Sequence, residues 1–185
     1  MNKTEILAPV GNSESLKAAV LSGADAVYFG MGNFNARRNA QNFSTEAEIK
    51  EAIEYCHSRG VKVHITLNTL IKDQEIDNLH KAIRKIADFG ADAVIVQDLG
   101  LASVLHKLLP KLPLHASTQM SVHTPAALYI LKEMGFKQVV VAREMAFDDL
   151  KQLCQIANEL DMVVEVFVHG ALCMSVSGQC LLSAY

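Results

Sequence analysis

Two cysteines near the end of the 185-residue chain carry the most distinctive chemistry: Cys173 follows an apolar run at 163–168, and Cys180 stands seven positions later, after Gly178. Two thiolates supply half of a four-ligand zinc or iron–sulfur site, so other ligands would come from continuing polypeptide, another chain or inorganic species. The segment between them, ALCMSVSGQC, is small and contains glycine, which suits a compact loop. Cys-x6-Cys is less diagnostic than paired Cys-x2-Cys motifs, and the spacing alone leaves a non-ligating role open. Cys56 and Cys154 fall within helical patterns and read as small core residues.

Acid–base candidates are Glu144, Glu165, His64, His115, His123 and His169, since carboxylates and imidazoles in a partly desolvated site can be tuned towards neutral pH. Glu165 and His169 share strand parity and form the favoured catalytic pair, with Glu144 next. Arg37 and Arg38, in the long loop GMGNFNARRNAQNFS, suit a carboxylate or phosphate. Asn68, Gln119 and Arg143 join them as candidate substrate-binding groups. The alternative for each is an ordinary loop or helix-cap residue. No Gly-x-Ser-x-Gly elbow and no His-Glu-x-x-His helix is present, so a protease constellation is not spelled out.

These groups need elements to position them. β-branched runs at 5–8, 26–29, 61–67, 93–96, 114–116, 139–141 and 163–168 predict seven strands. Helical patterns near 13–22, 45–58, 73–89, 99–109, 124–134 and 146–160 alternate with them, most opening on Ser, Thr or Asp. Gly23, Gly60, Gly90 and Gly135 stand where helices should end, and Gly-Ala-Asp-Ala-Val occurs at both 23–27 and 90–94. A repeated βα unit fits either a doubly wound sheet or a closed barrel.

Strand parity decides between the two. Val63, Ile65 and Leu67 share one face of the third strand, while His64, Thr66 and Asn68 share the other, which favours a barrel with a polar interior over a sheet buried under helices on both faces. The expected fold is therefore α/β, an incomplete TIM-barrel-like (β/α)8 domain spanning 1–185, with about seven βα units and strand eight missing. Such barrels usually need about 250 residues. An open edge after strand seven predicts self-association. The candidate residues fall at the C-terminal strand ends, where barrels of this type place their sites.

Composition bounds the partners. A net charge of -3, with half the residues apolar, argues against a surface devoted to nucleic acid, though a local RNA contact stays open. The N-terminus lacks a signal-peptide pattern and no apolar run approaches the length of a membrane span, so a cytoplasmic protein without membrane contacts is expected.

The segment from Glu165 through Phe167, Gly170, Ala171, Leu172 and Cys173, followed by Gly178, Cys180, Leu182 and Ser183, resembles the signature of the peptidase U32, or collagenase-like protease, family. ILAPVGNSESLKAAVLSGADAVYFG, NARRNAQNFS, LNTLI, VQDLGL and HASTQMSVH extend the resemblance along the chain. It implies a barrel-like domain and a [4Fe-4S] cluster on four cysteines, of which Cys173 and Cys180 would be the first two. It further implies a nominal collagenase-like peptidase or, alternatively, iron–sulfur-dependent, prephenate-linked hydroxylation of tRNA or ribosomal RNA. The partner would be a peptide, a small anionic substrate or RNA. An inactive barrel fragment is the remaining expectation.

Overall fold

The computed structural model describes residues 4–32, 34–36, 43, 45–170 and 174–177. Arg37, Arg38, Cys173 and Cys180 lie outside the described residues. The chain divides into two compact units, Met1–Val94 and Ile95–Tyr185.

The first unit contains β1 (Leu7–Pro9), α1 (Ser13–Leu21), β2 (Ala26–Gly30), α2 (Glu46–His57), β3 (Lys62–Leu67), α3 (Ile76–Phe89) and the start of β4 (Ala93–Val96). β1 pairs with β2, and β2 with β3, all parallel. The helices begin where the sequence supplies caps: Asn12 Oδ1 accepts from Ser15 N at 2.8 Å, and Thr45 Oγ1 accepts from Glu48 N at 3.2 Å. Each has the reciprocal bond of a capping box, which satisfies two otherwise orphaned donors. α2 and α3 bury Ile49, Ile53 and Cys56, and Leu79, Ile83 and Ile86, at helical spacing. The expected helix over 73–89 is instead a 3-10 turn at Asp73–Glu75 leading into α3.

The repeated pentapeptide has a structural counterpart. Asp25 Oδ2 accepts the Ile6 N–H at 2.9 Å, and Asp25 N donates to Ile6 O at 2.9 Å. Asp92 treats Val63 identically, with its Oδ2 accepting at 2.7 Å and its N donating at 2.9 Å. Each aspartate thereby clamps the start of its own strand to an earlier one. Asp92 also meets His57 Nε2 at 2.8 Å. Gly23 and Gly90, two residues before the aspartates, have φ of +91° and +77°, a left-handed turn that side chains resist.

The second unit contains the rest of β4, α4 (Leu99–Leu108), β5 (Leu114–Ala116), α5 (Pro125–Glu133), β6 (Phe136–Val140), α6 (Phe147–Glu159) and β7 (Val163–Glu165). β5–β6 and β6–β7 are parallel pairs, again neighbours in chain order. β7 is shorter than the expected 163–168. Its last ladder bond runs from Val141 N to Glu165 O at 3.1 Å, and Val166, Phe167 and Val168 beyond it are exposed. Val and Phe are strand-forming types that favour a pleated, half-buried surface, yet these three lie past the end of the ladder and are exposed.

The described residues thus carry seven strands alternating with helices, the α/β layout of an incomplete (β/α)8 barrel. Both faces of β3 are buried, with His64 and Thr66 on one and Val63, Ile65 and Leu67 on the other. Among the described residues no helix is long and apolar enough to cross a membrane.

Candidate functional site

In the second unit, the loops that follow β5, β6 and β7 meet around Ser177. This serine is fully buried although it belongs to no helix or strand. Its backbone N–H donates to Glu144 Oε1 at 2.9 Å and its hydroxyl donates to Glu144 Oε2 at 2.8 Å. The same Oγ accepts from Arg143 N at 3.0 Å and Arg143 Nε at 3.4 Å. Its carbonyl accepts the Ser121 hydroxyl. A serine hydroxyl has one hydrogen and two lone pairs, so this one is saturated.

Glu144 is the hub of the arrangement. Desolvation would raise its carboxyl, but the two bonds from Ser177, with further help from its own backbone and from His123, bring it down to about 2. His123 approaches through Nε2 at 3.1 Å, and its Nδ1 lies 2.6 Å from Ser121 O. Both ring nitrogens thus face acceptor oxygens. The loop after β5 is further held by Thr118 Oγ1 donating to Val141 O at 3.2 Å and by Gln97 Nε2 donating to Gln119 O at 3.5 Å.

This constellation of serine, histidine and carboxylate is not wired for serine attack. In a hydrolytic triad the imidazole accepts the serine proton and the acid orients the imidazole. Here the serine proton goes directly to the acid, and the imidazole faces that acid and a carbonyl.

A second polar group lies along the strands. His115 stands in register with Gln138, whose Nε2 donates to Glu165 Oε2 at 2.6 Å. Burial pushes the Glu165 carboxyl up, and the Gln138 bond partly offsets it. His169 is exposed and lies four residues beyond the end of β7, so the parity that would align it with Glu165 lapses.

In the first unit, Asn68 Oδ1 accepts the Ala36 N–H at 3.1 Å, and Asn35, itself buried, donates through Nδ2 to Gly32 O at 2.8 Å. A Cβ on Gly30 would lie 2.2 Å from Asn35 Cγ, so only glycine admits this plug. The start of the arginine loop, as far as Ala36, is thereby fixed to the end of β3. Also in this unit, burial lowers His64 to about 4, with Lys62 adding to the shift and Asp92 and Glu5 opposing it.

The structure brings Arg143 and Glu144 together, puts Gln119 in the turn beside them, and joins Glu165 to Gln138. Sequence reasoning passed over Ser177, Ser121 and Gln138. The only signal for Ser177 was its place among small residues between Cys173 and Cys180, and it gave no hint of a buried hydroxyl.

A (β/α)-barrel domain with polar groups gathered at the C-terminal strand ends is the class this fold and site define. The pattern of peptidase family U32 matches residues 11–185, and the chain belongs to that family. It is 38% identical over 182 residues to the 23S rRNA 5-hydroxycytidine C2501 synthase of Escherichia coli, covering 98% of this chain and 27% of that protein. It is 36% identical over 194 residues to a collagenase of Porphyromonas gingivalis, covering 100% of this chain and 46% of that protein. The solved U32 peptidase Mk0906 shares the fold with a TM-score of 0.72 at 16% identity, over 90% of this chain and 68% of that one. The chain spans less than half the length of these two curated relatives.

Proposed function

We propose that this chain is the barrel portion of a cytoplasmic, RNA-hydroxylating member of the U32 family. The wiring of Ser177 carries this reading. The one serine–histidine–carboxylate cluster among the described residues directs the serine proton to Glu144, fills both serine lone pairs from Arg143 and buries the oxygen, which opposes a hydrolytic role. The rRNA-modifying relative supports the same direction, while the collagenase supports the peptidase reading by name alone.

The cysteines sort in a way that fits an iron–sulfur group. Burial first, then Asp92, pushes the Cys56 thiol up to about 11 against an opposing Arg59, and burial also raises Cys154. Thiols held protonated are poor ligands. Cys173 and Cys180 remain, and they would supply two of four thiolates. A bound cluster would supply one-electron chemistry. An anionic co-substrate such as the dicarboxylate prephenate that the family resemblance implies would find candidate groups in Arg37, Arg38 and Asn68 of the first unit and, separately, in Gln119 and Arg143 of the second. Glu165, whose carboxyl burial pushes up and Gln138 orients, would be the proton-handling group, with His169 as a further candidate. Glu144, a further acid–base candidate, also holds Ser177 and His123.

Nucleoside analysis by mass spectrometry in a deletion strain tests this proposal. A hydroxylated pyrimidine should disappear and return when the uninterrupted gene is restored. Unchanged nucleosides, together with gelatin hydrolysis that Ser177→Ala abolishes, would reverse the assignment.

A further inference from the structure

We propose that Gln119, with Gln97 beside it, holds the hydrogen-bonding edge of the target pyrimidine, an inference that rests on the RNA-hydroxylating reading above. Gln119 stands in the 3-10 turn Thr118–Met120 just past the end of β5, and its side-chain Oε1 is buried with no hydrogen-bond partner among the described residues. A buried amide oxygen left unpaired costs free energy, so native folds supply a donor from the protein or from what the protein binds. The side-chain donors tied to this turn are committed elsewhere. Gln97 Nε2 donates to the Gln119 backbone O at 3.5 Å, Thr118 Oγ1 to Val141 O at 3.2 Å, the Ser121 hydroxyl to Ser177 O and Arg143 Nε to Ser177 Oγ at 3.4 Å.

The turn is also held in place. Ser117 Oγ accepts the Gln119 N–H at 3.3 Å, and Ser121 keeps a φ of +54°, a left-handed conformation that a side chain resists. A group fixed in this way pays little ordering cost when a ligand meets it. The ligand's chemistry follows from what Oε1 lacks. An acceptor needs a hydrogen, and a carboxylate or phosphate brings none, so this contact belongs to the base and leaves Arg143 for the anion. Uracil carries such a hydrogen on N3 and cytosine on its amino group. Two neutral amides side by side offer the mixed donors and acceptors that this edge requires, and extruded or unpaired bases are read there. Held by that edge, the pyrimidine keeps its C5–C6 side uncovered.

The test measures binding of short single-stranded RNAs to the full-length protein by fluorescence anisotropy at fixed salt. Each strand carries one central pyrimidine among adenosines: uridine or 3-methyluridine in one pair, cytidine or its dimethylamino counterpart in the other. The methyl groups remove the hydrogens that Oε1 would accept. Wild type should bind the unmodified member of at least one pair about tenfold more tightly. Gln119→Leu should bind both members alike, at the level of the methylated strand, whereas Gln119→Glu keeps an acceptor and should keep the ratio while weakening both. In urea without RNA, Gln119→Leu should unfold no earlier than wild type; a clear fall in its midpoint would give Oε1 a partner within the fold and overturn the inference. Equal binding of both members by wild type, or a ratio that Gln119→Leu leaves intact, overturns this inference alone. A wild type that binds no strand overturns the RNA reading and this inference with it.

Discussion

Carboxylates accept backbone N–H groups in both units, to different ends. In the first, Asp25 and Asp92 each take the N–H of a residue at the start of an earlier strand, and they stand in the same pentapeptide at the same junction. In the second, Glu144 takes the N–H of Ser177, which belongs to no regular element and to no repeated text. What recurs in this sequence serves the framework. The clamp that occurs once holds Ser177, in the chain that follows β7. Asp25 and Asp92 stand just before their strands, Glu144 a few residues after β6.

The contrast can be broken most strongly by acid. His64 is buried neutral, with a value of about 4 against an ordinary 6.5, so the fold is fully stable above 6.5 and loses stability as pH falls from 6.5 to 4. That loss should amount to about 3 kcal/mol, and urea titrations across the range should show it vanish in His64→Gln. The Ser177 clasp works in another window. Glu144 is depressed from 4.5 to about 2, so its contribution is complete above 4.5 and is lost only as pH falls towards 2. Limited proteolysis near Ser177 should therefore stay slow at pH 4.5, where the His64 effect is already mostly spent. Cleavage there that follows the His64 window would merge the two regions into one.

Substitution of the aspartates comes next in size. Asp92→Ala strands the part-buried Val63 N–H and frees His57, and should cost about 2–3 kcal/mol in chemical denaturation. Asp25→Ala, at an exposed bond, should cost about 1 kcal/mol. Equal losses would mean that the repeats are alike in text and not in energetic weight. The smallest effect belongs to Glu165. Its carboxyl is raised chiefly by burial, so stability is complete below its ordinary 4.5 and declines as pH rises through the raised value. Glu165→Gln should flatten that limb of the stability profile, and an unchanged slope would locate the titration elsewhere.

The framework was legible because its causes are local. Caps at Asn12 and Thr45, the left-handed glycines and the burial spacing of α2 and α3 all follow from neighbours in the chain. Strand count followed from the β-branched runs, and fold class from their alternation with helices and from strand parity. The limits of β7 did not, because Val166–Val168 are strand-forming types that nevertheless lie exposed beyond the last paired residue, Glu165. The clasp was legible only in part: Arg143 and Glu144 stood out as charged groups at a strand end, whereas Ser177 is 33 residues from Glu144 and its type carries no sign of burial. Gln138 was missed for a related reason, since its value lies in the cross-strand bond to Glu165.

The pairing order has a consequence for how the molecule is made. In each unit a strand lies against the one before it: Lys62 of β3 finds Ala26 of β2, and Val163 of β7 finds Gln138 of β6. No strand in these pairs waits for a partner still to be synthesised. The sheet can therefore grow by accretion as the polypeptide leaves the ribosome, each new βα segment docking on a finished one, with little loop entropy to overcome at any step.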